Sequence, residues 1–177
     1  DGSESLYRYR DIISTKGQAQ IFFIRTDKIN RKNYLSSTQI QVLSNYFKIH
    51  SHSHSHPNHF LLNDREIRQE GMISKQNIEN ITGNPVKFYA FPGGDFSFRS
   101  IKILAEIGYR EFFTSVPLFF TRNLRYNGVT LNIHGRVEVF SPGYSTIERY
   151  YSLSVVSRRL LRHTLGFSNR YIRSRLK

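Results

Sequence analysis

The chain has 177 residues, of which 38% are hydrophobic and 14% aromatic, and its formal net charge is +13. That length and aromatic content predict one folded domain and argue against a disordered chain. Cysteine is absent, which excludes disulfides and thiolate metal sites, so any metal would need His and carboxylate ligands. The sequence contains no run of about 18 apolar residues that would predict a membrane span, and its first residues show no signal-peptide pattern.

The positive charge is concentrated at the C-terminal end. Residues 157–177 contain six Arg, one Lys and no acidic residue. The rest of the chain is an ordinary basic domain, so we expect no nucleic-acid partner. We predict a helical basic tail over residues 151–177. It either packs on the domain with its Arg solvated or meets an anionic membrane surface or an acidic polymer.

Apolar patterning predicts helices and strands that alternate along the chain. Helices are expected over 3–15, 37–46, 63–81 and 97–107, and strands over 19–25, 47–50, 86–91, 110–116 and 136–140. This order implies βαβ units and a parallel sheet, open or barrel-like. A Pro-Gly-Gly loop at 92–94 interrupts the pattern after one of the strands.

Five of the seven histidines lie between residues 50 and 59, and four of them alternate with serine: His50, His52, His54 and His56. On a strand, all four would project from one face. In a helical turn, His50 would meet His54, or His52 would meet His56. Either geometry could seat a metal, and a solvated loop without fixed structure is the remaining alternative. A complete site would need a third ligand, usually a carboxylate from elsewhere in the chain.

The segment His52-Ser53-His54-Ser55-His56-Pro57 resembles the H-[S/T]-x-x-H-[S/T/P] motif of the polysaccharide deacetylases, the NodB homology domain of carbohydrate esterase family 4. The segments IFFIRTDKI, FYAFPGGDFS and GYREFFTSV resemble further parts of that family in the same order. The resemblance implies an α/β fold, a distorted (β/α) barrel over residues 1–150. It also implies removal of N-acetyl groups from N-acetylhexosamine units of a polysaccharide.

The same resemblance implies a metal triad of Asp1, His52 and His56 that holds Zn²⁺ or another divalent first-row metal. Asp1-Gly2 matches the end of the family motif T-F-D-D-G. The aspartate that acts as general base, and the first strand of the barrel, would then lie upstream, so we expect the sequence to be truncated. His50, His54 and His59 are expected to be bystanders.

Two further segments match family motifs that contribute to catalysis. The resemblance places Pro92 and Gly93 at the substrate and assigns the Gly93 amide to the oxyanion. It also implies that His134, in Leu131-Asn132-Ile133-His134, protonates the leaving amine, although Arg136-Val137-Glu138-Val139 fits another family strand equally well. A surface histidine at the start of an edge strand is the alternative role for His134.

Two positions near the loop at 92–94 leave questions open. Ala90 stands where many members of the family have the Arg that orients the base, so that role is unassigned. Asp95 is predicted to be the N-cap of the following helix rather than a substrate contact. The alternative to an active enzyme is a catalytically impaired member that binds metal or glycan without turnover. Such proteins are often exported or envelope-bound, but the sequence does not fix the compartment.

Overall fold

The computed structural model describes residues 2–8, 10, 11, 20–115 and 122–135. Its helices are α1 (Ser5–Arg8), α2 (Ser37–Leu43), α3 (Asp64–Thr82) and α4 (Phe98–Glu106). Its strands are β1 (Ile21–Ile24), β2 (Lys48–Ser51), β3 (Phe88–Ala90), β4 (Glu111–Phe113), β5 (Arg122–Tyr126) and β6 (Val129–His134). The strand expected at 136–140, the tail at 151–177 and Asp1 lie outside the described residues.

The strands form one sheet in the order β1-β2-β3-β4-β6-β5. Each neighbouring pair from β1 to β6 is parallel, and β5 alone runs antiparallel to β6. The helices α2, α3 and α4 connect or follow the parallel strands, which confirms the alternation predicted from the apolar pattern. Since the strands are parallel, their carboxyl ends meet at one edge of the sheet, where ligands bind in such folds.

The sheet is strongly curved. The rings of Phe23 in β1 and Phe113 in β4 have centroids only 4.9 Å apart. In a flat sheet these strands would be separated by three inter-strand spacings, roughly 14 Å. The concave face carries a row of rings in which His50 stacks on Phe88 and His134 stacks on Phe113. The described strands therefore curl in the manner of a barrel wall.

The opposite face of the sheet packs against the helices and forms the core. Tyr89, Phe91 and Phe112 are fully buried there and contact one another through their rings. Each of the three longer helices adds buried aliphatic residues to the same cluster: Ile40, Leu43, Ile67, Ile78, Ile101 and Leu104. None of the helices among the described residues has the length and apolarity needed to cross a membrane.

Polar side chains set the helix starts. Asn63 caps α3 with a capping box that includes Glu66, and Gly83 ends that helix in the left-handed conformation. Ser97 caps α4 by accepting a hydrogen bond from the Ser100 amide. The prediction that Asp95 caps this helix is wrong, because the serine lies directly before the first helical residue. Asp95 lies two residues before that serine and is buried, with 4% of its surface exposed.

The hairpin of β5 and β6 was not predicted from the sequence, which placed a single strand in this region at 136–140. Asn127 and Gly128 form its two-residue turn, both with positive φ. An Asn-Gly pair between alternating residues is the strongest short-range hairpin signal, so the sequence did contain the evidence. The hairpin makes His134 the last residue of β6, which lies between β4 and β5 and is not an edge strand.

Protonation of the buried His50 is predicted to destabilise the fold. Burial, Lys48 and Lys75 lower the pKa of His50 from 6.5 to about 4. Since the unfolded chain binds the proton more readily, the free energy of unfolding falls as the pH drops from about 6.5 toward about 4. The contribution is roughly 1.4 kcal/mol per pH unit. Urea unfolding at pH 7.5 and 5.0 should show a shallower pH dependence in His50→Phe, which keeps a ring against Phe88. Parallel pH profiles for the two proteins would contradict this assignment.

Candidate active site

The histidine loop, residues 52–56, leaves the carboxyl end of β2. Its start continues the pairing with the β1 side, because the His52 amide donates to the Ile24 carbonyl at 3.0 Å and the His54 carbonyl accepts from the Asp27 amide at 3.0 Å. Ser53 and His56 then take positive φ values of 65°. These two left-handed residues turn the chain back on itself within five residues.

This turn brings His52 and His56 together. Their ring centroids lie 4.8 Å apart, with the rings nearly perpendicular at 78°. The Nδ1 atom of His52 donates to the Ala90 carbonyl at 2.8 Å, since a carbonyl can only accept. In the neutral ring the lone pair is therefore on Nε2. This arrangement, with one ring nitrogen bonded to the backbone and the other presented as a base, is typical of metal-ligating histidines.

The electrostatic surroundings keep His56 neutral. Burial lowers the pKa of His56, and the neighbouring His52 and Arg25 lower it further. A neutral imidazole is the form that binds a metal ion. Arg25 itself is held by Asp27, whose two carboxylate oxygens accept from the guanidinium at 2.6 and 2.8 Å. His56 is thus ready to act as a nitrogen ligand near neutral pH.

The other three histidines of the cluster have different contacts. His54 lies between the pair in sequence, but its Nδ1 is 2.9 Å from the Thr26 hydroxyl. His50 is buried on the concave face, one residue before β2 ends. His59 is fully buried, with Nε2 2.9 Å from the Tyr89 hydroxyl, and burial lowers its pKa to about 3. The alternating pattern therefore does not form a four-histidine face.

The loop at 92–94 follows β3 at the same edge of the sheet. The Ala90 carbonyl that holds His52 lies two residues before Pro92, so the two loops are tied together. Gly93 and Gly94 have φ values of 63° and 73°. The Ser115 hydroxyl, beyond the end of β4, donates to the Gly93 carbonyl at 2.9 Å. This hydrogen bond fixes the peptide group between Gly93 and Gly94. The Gly93 amide belongs to the preceding peptide group, between Pro92 and Gly93, and takes no part in it.

His134 belongs to a separate polar group on the concave face. Its Nε2 lies 2.6 Å from the Glu111 carboxylate, whose other oxygen accepts from the side-chain Nδ2 of Asn132 at 2.7 Å. The backbone of His134 pairs with Phe113 in β4, and Phe113 pairs with Ala90 in β3. His134 is therefore in register with Ala90, the residue whose carbonyl anchors His52, while its ring is directed to Glu111.

Asp1, the third predicted ligand, lies outside the described residues. Among the residues that the structure describes, no group of three or more His, Cys, Asp or Glu side chains could hold a metal ion. Within this part of the chain, His52 and His56 are the predicted ligands that meet. A complete triad would require a further oxygen ligand from elsewhere, and carboxylate with two imidazoles is a donor set that suits zinc.

Sequence reasoning missed the side chains that shape the histidine loop. Ser53, which is fully buried, accepts a hydrogen bond from the His56 amide at 2.9 Å. Glu70 in α3 accepts hydrogen bonds from the amides of His54 and Ser55. The serines were visible as part of the alternation, but their role depends on a left-handed turn. Glu70 is 14 residues beyond the loop, and nothing in the local pattern marks it.

Comparison with known proteins identifies the family. The family model described as polysaccharide deacetylase matches residues 1–112. The chain therefore belongs to the polysaccharide deacetylase family, as the motif at 52–57 predicted. No curated protein matches the sequence.

Solved structures with the same fold include a polysaccharide deacetylase and a pseudoenzyme. BC0361, a polysaccharide deacetylase from Bacillus cereus, has a TM-score of 0.60 and 21% identity over 67% of this chain and 39% of its own. IcaB from Ammonifex degensii has a TM-score of 0.59 and 21% identity, over 64% of this chain and 56% of its own. BA3943, a CE4 family pseudoenzyme from Bacillus anthracis, has a TM-score of 0.57 and 24% identity, over 66% of this chain and 40% of its own. The α/β fold predicted from the family is confirmed, and the chain spans between 39% and 56% of these structures.

Gly94 is predicted to be the most sensitive residue of the loop at 92–94. A Cβ at this position would lie 2.0 Å from the Ser115 hydroxyl oxygen and 2.2 Å from the Ser115 amide nitrogen. Gly94→Ala should therefore lower the free energy of unfolding by about 2–4 kcal/mol, through overpacking and positive φ.

Gly83 provides the control, because it has a φ of 69° and no atom within 4 Å of an added Cβ. Gly83→Ala should cost only about 1 kcal/mol, the strain of the left-handed backbone alone. Urea unfolding of both variants measures the difference. Equal losses would show that the close approach to Ser115 is not what constrains the loop.

Proposed function

We propose that this chain is the metal-binding part of a hydrolase that removes N-acetyl groups from N-acetylhexosamine units of a polysaccharide. The observation that carries the proposal is the convergence of His52 and His56, with His52 fixed through Nδ1 by the Ala90 carbonyl. Membership of the polysaccharide deacetylase family supports the reaction class. The metal is proposed from the chemistry of these residues, and the N-acetylated sugar is proposed from the family resemblance.

His52 and His56 are the proposed nitrogen ligands, and Asp1 is the proposed oxygen ligand. Two imidazoles and a carboxylate suit Zn²⁺ or another divalent first-row cation, and they leave coordination positions open. When bound, such a cation would polarise the acetyl carbonyl and make a water molecule more acidic. The low pKa of His56 favours this use, because the ring needs no deprotonation before it ligates.

The remaining steps are assigned to residues of the two neighbouring groups. Gly93, after Pro92 in the loop tied to His52, is proposed to donate its amide hydrogen to the oxyanion that forms on the acetyl carbon. His134 is proposed to deliver a proton to the leaving amine, with Glu111 orienting its ring. An aspartate upstream of Asp1 would remove the proton from the attacking water. Each proton transfer of this kind contributes roughly 10²–10⁴ in rate.

A catalytically impaired member of the family is the second candidate. The observation that favours it is Ala90, which stands where many members have the Arg that orients the base. Here the side chain is a methyl group and is fully buried. Such a protein would bind metal or glycan without turnover. Acetate release from partly acetylated chitooligosaccharides, by the chain extended upstream to include the base, distinguishes the two candidates.

Zinc titration of the chain tests the ligand assignment. Isothermal titration calorimetry should give about one tight site, which is lost in His52→Ala and His56→Ala. His54→Ala should keep the site, because His54 faces Thr26 rather than the pair. Equal loss in all three variants would contradict the assignment. Binding to a nucleic acid that survives a chelator and falls steeply with salt would instead indicate a basic nucleic-acid-binding protein, against the expectation from the charge distribution.

A further inference from the structure

We propose that Glu70 is a positioning residue that sets the metal affinity of the histidine loop. Glu70 lies in α3, the helix that follows the histidine loop in the chain. It does not belong to the proposed ligand set, and it acts through the backbone between the two ligands. The inference rests on the proposed function, since it concerns the same pair of histidines.

The Glu70 carboxylate accepts three hydrogen bonds from two consecutive residues. Its Oε2 accepts from the amides of His54 and Ser55, each at 2.8 Å, and its Oε1 accepts from the Ser55 hydroxyl at 2.6 Å. Hydrogen bonds to a charged acceptor at these distances are the strong kind. Three donors from one short stretch of chain therefore converge on one side chain.

The position of these donors explains why the carboxylate matters for the pair. His52 is anchored by its own amide to Ile24 and by its ring to Ala90. His56 lies four residues further on, after the left-handed Ser53, and its amide bonds back to the Ser53 hydroxyl. His54 and Ser55 are the link between those two residues. Fixing their amides fixes the path that brings His56 back to His52.

The loop cannot satisfy these amides by strand pairing. β2 ends at Ser51, the last residue at which it pairs with β1 on one side and with β3 on the other. A donor left without an acceptor costs about 1–3 kcal/mol where water cannot replace it. Without Glu70, the two amides would turn toward water and take the loop with them. Loss of a residue that orients metal ligands typically weakens metal binding 10- to 100-fold.

The experiment compares zinc binding by the full chain and four variants, measured by calorimetry with ZnCl₂ and paired with urea unfolding. Glu70→Ala should weaken zinc binding 10- to 100-fold. Glu70→Gln should stay within about threefold of the original chain, because its amide oxygen can accept from both backbone amides. Ser55→Ala removes only the hydroxyl donor and should also have a small effect.

Glu79 supplies the matched control. It lies in the same helix, and its carboxylate accepts from the Val86 amide at 2.8 Å and from Lys75 at 2.6 Å, away from the histidine loop. Glu79→Ala should lower the free energy of unfolding and leave zinc affinity unchanged. This comparison separates loss of loop position from general loss of stability.

Amide hydrogen exchange of His54 and Ser55 gives a second measurement that needs no metal. Both amides should exchange at least tenfold faster in Glu70→Ala than in Glu79→Ala. If the original chain binds no zinc, the proposed function fails, and the exchange rates alone decide whether Glu70 holds the loop. The inference is overturned if Glu70→Ala keeps both the zinc affinity and the exchange protection. It is also overturned if Glu70→Gln loses as much affinity as Glu70→Ala, since charge and not position would then be responsible.

Discussion

The constraint on which the site depends is that the histidine loop must satisfy its backbone polar groups beyond the end of β2. The strand ladder ends at Ser51, so side chains and neighbouring segments take over. The Ser53 hydroxyl accepts from the His56 amide, Glu70 accepts from the amides of His54 and Ser55, and the Ala90 carbonyl accepts from the His52 ring. Each of these hydrogen bonds restricts the conformation of a loop that lies outside the regular secondary structure. The convergence of His52 and His56 follows from that network.

The parallel sheet determines where this loop meets its neighbours. Because β2 and β3 run in the same direction, the segments that follow them emerge at the same edge. The hydrogen bond from His52 to Ala90 joins these segments directly, and Ser115 joins the loop at 92–94 to the end of β4. Three consecutive parallel strands thus contribute to one site. The curvature of the sheet, seen in the contact between Phe23 and Phe113, turns their concave face inward.

The sequence was sufficient for the elements that depend on local pattern. Apolar runs and Gly stops located β1 to β4 and the three longer helices, because burial on one face leaves a periodic signature. The motif from His52 to Pro57 pointed, through family resemblance, to the two histidines whose rings meet in the structure, whereas spacing alone left two pairs open. Asp95 was misassigned because a cap is decided by the residue directly before the helix, and Ser97 occupies that position. The β5–β6 hairpin was missed although Asn127-Gly128 signalled it.

Other features could not be read from the sequence, because they depend on residues far apart in the chain. Glu70 looks like any acidic residue on a polar helix until the fold places it beside Ser55. The pairing of His134 with Glu111 likewise requires β4 and β6 to be neighbours, which the order of strands in the sequence does not reveal. The family motif therefore names the proposed ligands, while the tertiary structure shows the groups that would orient them.

The most direct test of the account is the tautomer and zinc response of each histidine ring, observed in long-range proton–nitrogen NMR spectra of the chain with labelled histidines. The account predicts that His52 carries its proton on Nδ1, as its hydrogen bond to Ala90 requires. It further predicts that zinc shifts the ring nitrogens of His52 and His56 and leaves His54 and His59 unchanged. A proton on Nε2 of His52, or a zinc response centred on His54, would contradict it.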